Sequence, residues 1–196
     1  MARTRSAASD HTKQRLADSA LALFHRRGYH GTSVQDIVSA AGAPKGTFYN
    51  HFVSKEALAV DAVERYCAAI PLEMLDSAAG GTPLERIAAH LHRVVEITWT
   101  WYDRGCLLGN LATEMPAHSK VVSQAVADGL ARWISALARA IEEARAAGEL
   151  GFDGSPADLA AFIIDSYEGA AARSKVTGTS GPMRLFLDTT LTRVLV

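Results

Sequence analysis

One stretch limits what this chain can fold into more than any other: residues 32–52, TSVQDIVSAAGAPKGTFYNHF. Two short helical patterns flank a turn at Gly42. Thr32 or Ser33 can cap a helix that runs to about Ala41, and Asp36 placed after Ser33 resembles a capping box. Pro44 stands at the first position of a third helix, where its missing N–H does no harm. Phe48 and Phe52 are four apart, so they share a face and pack on the two helices before them. This is the layout of a helix-turn-helix whose second helix enters the major groove of DNA. The helix ahead of it is expected over about Thr12–Arg27, with Leu16, Ala20, Leu23 and Phe24 on one face and Gly28 at its cap. Residues 1–10 read as a basic arm carrying Arg3 and Arg5.

The exposed faces of this module supply the candidate DNA contacts. Lys45 can meet a guanine edge or a phosphate, and Asn50 an adenine. Gly46 lets the backbone come close to the duplex. Thr47, Tyr49 and His51 have the chemistry for phosphate contacts. Thr32 and Ser33 head the second helix and Lys55 the fourth, where N–H groups, hydroxyls and an ammonium suit a phosphate. Charge agrees. Residues 1–55 hold eight Lys and Arg against three Asp, a balance of +5 hidden within a net −1. The remainder, with 12 basic and 18 acidic side chains, is at −6. A basic module on an acidic body suits a polyanion at one end.

Beyond the module the pattern stays helical. A fourth helix is expected from Lys55 to about Ser77, capped by Ser54 and kinked or split by Pro71. Thr82-Pro83-Leu84-Glu85 is a clean start for a fifth. A short helix follows over about Leu107–Met115, then a long one over residues 119–147. Ser155-Pro156 opens an eighth, running to about Val176, and a ninth covers 183–195. The fold expected is all-α: an N-terminal three-helix unit (residues 1–54) and a C-terminal helical bundle (55–196). An apolar pocket in that bundle would be lined by Trp99, Trp101, Tyr102, Met115, Trp133, Phe162 and Tyr167, although most such residues simply form core.

Two cysteines cannot make a disulfide framework. No apolar run reaches membrane-spanning length and no signal peptide opens the chain, so a cytoplasmic protein is expected. No nucleophile elbow, phosphate-binding glycine loop or metal-ligand cluster occurs, so neither an enzyme nor a cofactor or metal is expected. His90 and His92 are two apart on a helix and point to different faces. A helical enzyme and a constitutive architectural DNA binder are the competing readings.

The module resembles the TetR family of bacterial transcriptional regulators. The matching residues are Ala22, Leu23 to Gly28, Gly31 to Ser33, Asp36-Ile37, Ala40 to Gly42, Lys45 to Tyr49, His51-Phe52 and Ser54 to Glu56. They span about residues 12–60. The resemblance implies DNA-contacting roles for Tyr49 and Lys55. It implies an all-helical homodimer paired through its last two helices and bound to a near-palindromic operator. A small-molecule effector in a C-terminal pocket would then release the DNA. Pro71 departs from the family pattern. The segment from Gly105 to Glu114, GCLLGNLATE, resembles one in a TetR subgroup that answers to electrophiles and oxidants through this cysteine, or to small unsaturated acids. Cys106 precedes a helix and follows Arg104, a setting that favours thiolate. Lys175 is the amine named as able to capture an oxidised Cys106. The alternative is a Cys106 that is purely structural, with a non-covalent ligand.

Overall fold

The computed structural model describes residues 2–44, 46–76 and 80–196, with side chains from Ser9 onward. The described residues form eight α-helices joined by short turns, and no strand. Two compact units divide the chain, Met1–Ala68 with Asn110–Ala127, and Ala69–Gly109 with Asp128–Val196. The first is therefore larger than the boundary at residue 54 suggests, because it takes in a segment from the middle of the chain.

In the first unit, α1 spans Ala2–Arg27 and Gly28 ends it at φ +76°. The helix thus includes the stretch expected as an arm; no Gly or Pro interrupts ARTRSAASD, and Ala and Arg favour helix. The side chains of Arg3 and Arg5 lie outside the described residues. Helix α2, Val34–Ala40, starts in the capping box of Ser33 and Asp36. The Arg15 guanidinium donates to the Ala41 carbonyl at the end of α2, tying the two helices together. The third element is only a 3-10 turn, Phe48–Asn50, shorter than the helix expected from Lys45. Gly46 takes φ +89°, which breaks a right-handed helix at that point. Lys45 itself lies outside the described residues. Phe48 and Phe52 are both buried, their rings 5.9 Å apart, in a core with Leu16, Phe24 and Ile37.

Helix α3 spans Lys55–Ala68, and the Ser54 hydroxyl accepts from the Ala57 N–H at its start. It stops well short of Ser77. Pro71 has no N–H to donate, and the residue before a proline is pushed out of the helical region. The chain turns tightly at Pro71 (φ −77°, ψ 63°), closed by the Leu72 N–H on the Ile70 carbonyl, and enters a 3-10 turn, Leu72–Leu75.

The second unit is built on α4 (Pro83–Thr100), α6 (Lys120–Ala146), α7 (Pro156–Thr177) and α8 (Gly181–Thr189). Helix α5 (Leu107–Glu114) and α6 contribute residues to both units. The capping box of Thr82 and Glu85 opens α4 as its sequence requires. Glu149, just past the Gly148 stop, accepts from the Leu84 N–H and satisfies another free donor of that end. Ile87, Leu91, Val94 and Thr98 form the buried stripe of α4. Arg86, also buried, pairs with Glu143 of α6. The last helix is shorter than residues 183–195, since the chain widens into a π turn over Thr190–Val194.

Candidate nucleic-acid interface and sensor region

The turn between α1 and α2 and the 3-10 turn supply the polar face of the first unit. Tyr49 is 69 % exposed, and Asn50 and Gly46 are also exposed. Tyr49 stands edge-on to Phe48 with ring centroids 5.1 Å apart, so its anchor is buried and its hydroxyl end is free of the core. Thr47 and His51 are half-buried. Ser33 is exposed, and its hydroxyl and N–H hold the Asp36 carboxyl below the usual carboxylate range. Thr32 does not fit a phosphate contact. It is fully buried, and its hydroxyl donates to the Gly28 carbonyl at 2.9 Å. Sequence shows a hydroxyl at a helix start but not which of two neighbours turns inward.

Lys55 is half-buried with its Nζ 4.0 Å from the centre of the Tyr29 ring. Burial lowers the pKa of this ammonium, while Glu114 and Asp36 work against that shift. Tyr29 is raised above its ordinary pKa by burial first, then by Glu56 and Glu114. Tyr29 and Glu114 were not among the sequence candidates. Nothing in a linear reading brings residue 114 to residue 29.

In the second unit the aromatic residues separate into two groups. Trp133 and Tyr167 meet edge-to-face at 5.2 Å, and Phe186 packs on Tyr167 at 5.9 Å. The Trp133 indole N–H donates to His90 Nε2 at 2.8 Å, and the Tyr167 hydroxyl is 2.5 Å from that of Thr98. These polar tips are satisfied inside the core. Tyr102 and Trp101 are 44 % and 46 % exposed, with Arg104 stacked over Trp101 and the half-buried Trp99 packed on Tyr102. Phe162 is 57 % exposed on α7. Met115 is buried and belongs to the first unit. Within the second unit Trp133 and Tyr167 thus belong to the core, whereas Trp101, Tyr102 and Phe162 stand at its surface.

Cys106 is a buried cysteine, not in a disulfide, just ahead of α5. The group that meets it is Glu168 of α7, whose carboxylate takes a hydrogen bond from it. Burial pushes the Glu168 carboxyl up to about 7; the Cys106 bond works against the rise and Asp165 adds to it. One Glu168 oxygen, Oε1, is buried with no hydrogen-bond partner. Lys175 is exposed on the same helix, seven residues beyond Glu168, or about 10 Å along the axis. Glu168 was missed because its position on α7 reads as an ordinary polar one.

Two family models match. Residues 16–62 match "Bacterial regulatory proteins, tetR family", and residues 83–190 match "Tetracyclin repressor-like, C-terminal domain". The second alone covers more than half of the chain. The chain belongs to the TetR family. It is 32% identical over 177 residues to the HTH-type transcriptional repressor DhaR of Mycobacterium sp. strain GP1, covering 89% of this chain and 88% of DhaR. It is 32% identical to the transcriptional regulator AcuR of Cereibacter sphaeroides, over 90% of this chain and 82% of that one. The crystal structure of the reduced form of Escherichia coli NemR superposes with a TM-score of 0.83 at 28% identity, covering 94% and 97% of the two chains. This TetR-family chain is a ligand-responsive, DNA-binding transcriptional regulator and not an enzyme. Members of the family bind DNA operators and typically work as dimers. No described helix is long and apolar enough to cross a membrane.

Proposed function

We propose that the chain is a repressor that binds a near-palindromic operator as a homodimer joined through α7 and α8. In this reading Ser33, Thr47, Tyr49, Asn50, His51, Lys55 and, with its side chain undescribed, Lys45 meet the DNA. Dimerisation is supported by apolar side chains that face outward on the last two helices: Phe162 (57 % exposed), Leu185 (58 %) and Val176 (87 %). Phe162 and Leu185 border a groove with Ala170, Pro182, Phe186 and Val194. Apolar side chains gathered on one face mark an interaction surface.

The release signal is modification of Cys106 by a small electrophile or oxidant. The observation that carries this reading is the contact of a buried thiol, outside any disulfide, with a buried carboxyl group that keeps one oxygen unpartnered. A carboxyl group raised toward neutrality beside the thiol can take its proton as the sulfur attacks an electrophile. The solved NemR is described as its reduced form, which fits a relative in which thiol state is a variable. Burial of Cys106 favours a second reading, a non-covalent effector with the thiol left intact. N-ethylmaleimide separates the two. The wild-type protein is expected to lose its operator on treatment, with one adduct on Cys106 by mass spectrometry, and Cys106→Ser to keep it. Full operator binding by protein labelled at Cys106 would leave only the second reading.

A further inference from the structure

Glu114 ends helix α5, and its carboxylate sits in the turn that joins α1 to α2. Oε2 accepts from the Tyr29 N–H at 2.8 Å and Oε1 from the His30 N–H at 2.6 Å. Gly28 makes the cradle possible. Its φ of +76° turns the chain, and a Cβ there would stand 2.8 Å from the same carboxylate. A left-handed residue followed by successive N–H groups forms a concave anion site. Here the chain supplies the anion from a segment some 85 residues away. The turn runs directly into Thr32, whose hydroxyl returns to the Gly28 carbonyl, and then into the Ser33 cap of α2. The Tyr29 ring, held by the same carboxylate through its backbone, carries the Lys55 ammonium on its face. One side chain therefore braces both the Ser33 cap and the ring that carries Lys55, the two places given phosphate-contacting roles above.

We propose that Glu114 is a positioning residue for operator binding, holding the N-terminus of α2 and Lys55 in one register with the DNA. The proposal rests on the phosphate-contacting roles given above to Ser33 and Lys55. The sign of its effect distinguishes it from simple electrostatics. Glu114 is a negative charge in a unit that binds a polyanion, so by charge alone its removal tightens binding to any DNA. Positioning requires the opposite on the operator.

The test uses the full-length protein, a labelled fragment from upstream of its own gene, and an unrelated fragment of equal length, each titrated at several salt concentrations. Glu114→Ala is expected to weaken operator binding about tenfold, the scale of losing charge-assisted hydrogen bonds. Glu114→Gln is expected to weaken it less, because its amide oxygen still accepts one of the two N–H groups. Affinity for unrelated DNA is expected to hold or rise. Operator binding that is unchanged or tighter in both variants overturns the proposal. So does an equal loss on both fragments, which reports general damage. Glu114→Gln, close to isosteric, carries the test if Glu114→Ala does not fold. Lys55→Ala runs alongside. If it weakens binding and the Glu114 variants do not, the positioning role alone falls; if none of the three weakens it, the contact reading falls too.

Discussion

Replacing His90 by glutamine is expected to leave a stability that falls by on the order of 3 kcal/mol as pH rises from about 4.5 to 7, a fall that His90 offsets in the wild type. The His90 ring is fully buried between α4 and α6. Its Nδ1–H donates to the Pro71 carbonyl at 3.1 Å, and its Nε2 lone pair accepts the Trp133 indole N–H at 2.8 Å. A second ring proton would have no acceptor and would break the indole bond. Burial brings its pKa down to about 4, against an ordinary 6.5. The unfolded chain takes up a proton below about 6.5 and the folded chain does not, so stability is lost as pH falls through that window. Glu168 works in the opposite direction. Its carboxyl, raised to about 7, keeps a proton that the unfolded chain loses above about 4.5. Its contribution is therefore full at low pH and is lost as pH rises toward 7, again by about 3 kcal/mol. The two slopes nearly cancel in the wild type. Urea denaturation at a series of pH values is expected to show Glu168→Gln losing stability on acidification and His90→Gln losing it on alkalinisation. Curves parallel to the wild type for both variants would contradict this balance.

The double substitution Phe162→Asp with Leu185→Asp is expected to convert the protein to a monomer in sedimentation and to weaken operator binding about 100-fold or more. Both side chains are already more than half exposed, so two carboxylates there disturb little of each subunit's own core. They place like charges in the groove that the partner is proposed to fill, where a desolvated and unpaired charge is heavily penalised. Two reading heads on one operator gain from a high effective concentration, and a monomer forfeits that gain. A double variant that remains dimeric, or a monomeric one that binds the operator as tightly as wild type, would place the dimer interface elsewhere.

Most of the helix boundaries were legible because caps and stops are local chemistry. Ser33 with Asp36, Thr82 with Glu85 and Ser155 before Pro156 each satisfy free N–H groups within three residues. Gly28, Gly105, Gly148 and Gly178 mark left-handed positions that other residues avoid. A local signal with two possible outcomes does not by itself fix the structure. Gly46 was placed inside the third helix, and its φ of +89° instead delays that element to Phe48. Pro71 was given a choice between kink and split, and the split prevails. The sites were less legible because they join residues remote in sequence. Tyr49 is exposed as its place on a short polar turn suggests, whereas Thr32 turns inward to serve Gly28. Glu114 at Tyr29 and Glu168 at Cys106 depend on how helices pack, which periodicity does not encode. The aromatic residues were grouped by type, but Trp133 and Tyr167 find buried polar partners while Tyr102 and Phe162 face outward.

Hydroxyl-radical footprinting of the DNA upstream of this chain's own gene, with the full-length protein, tests the central claim most directly. The expected result is two protected patches on one face of the duplex, one helical turn (~34–36 Å) apart, both lost with Lys55→Ala. Uniform protection, or none at concentrations that saturate binding, would contradict it.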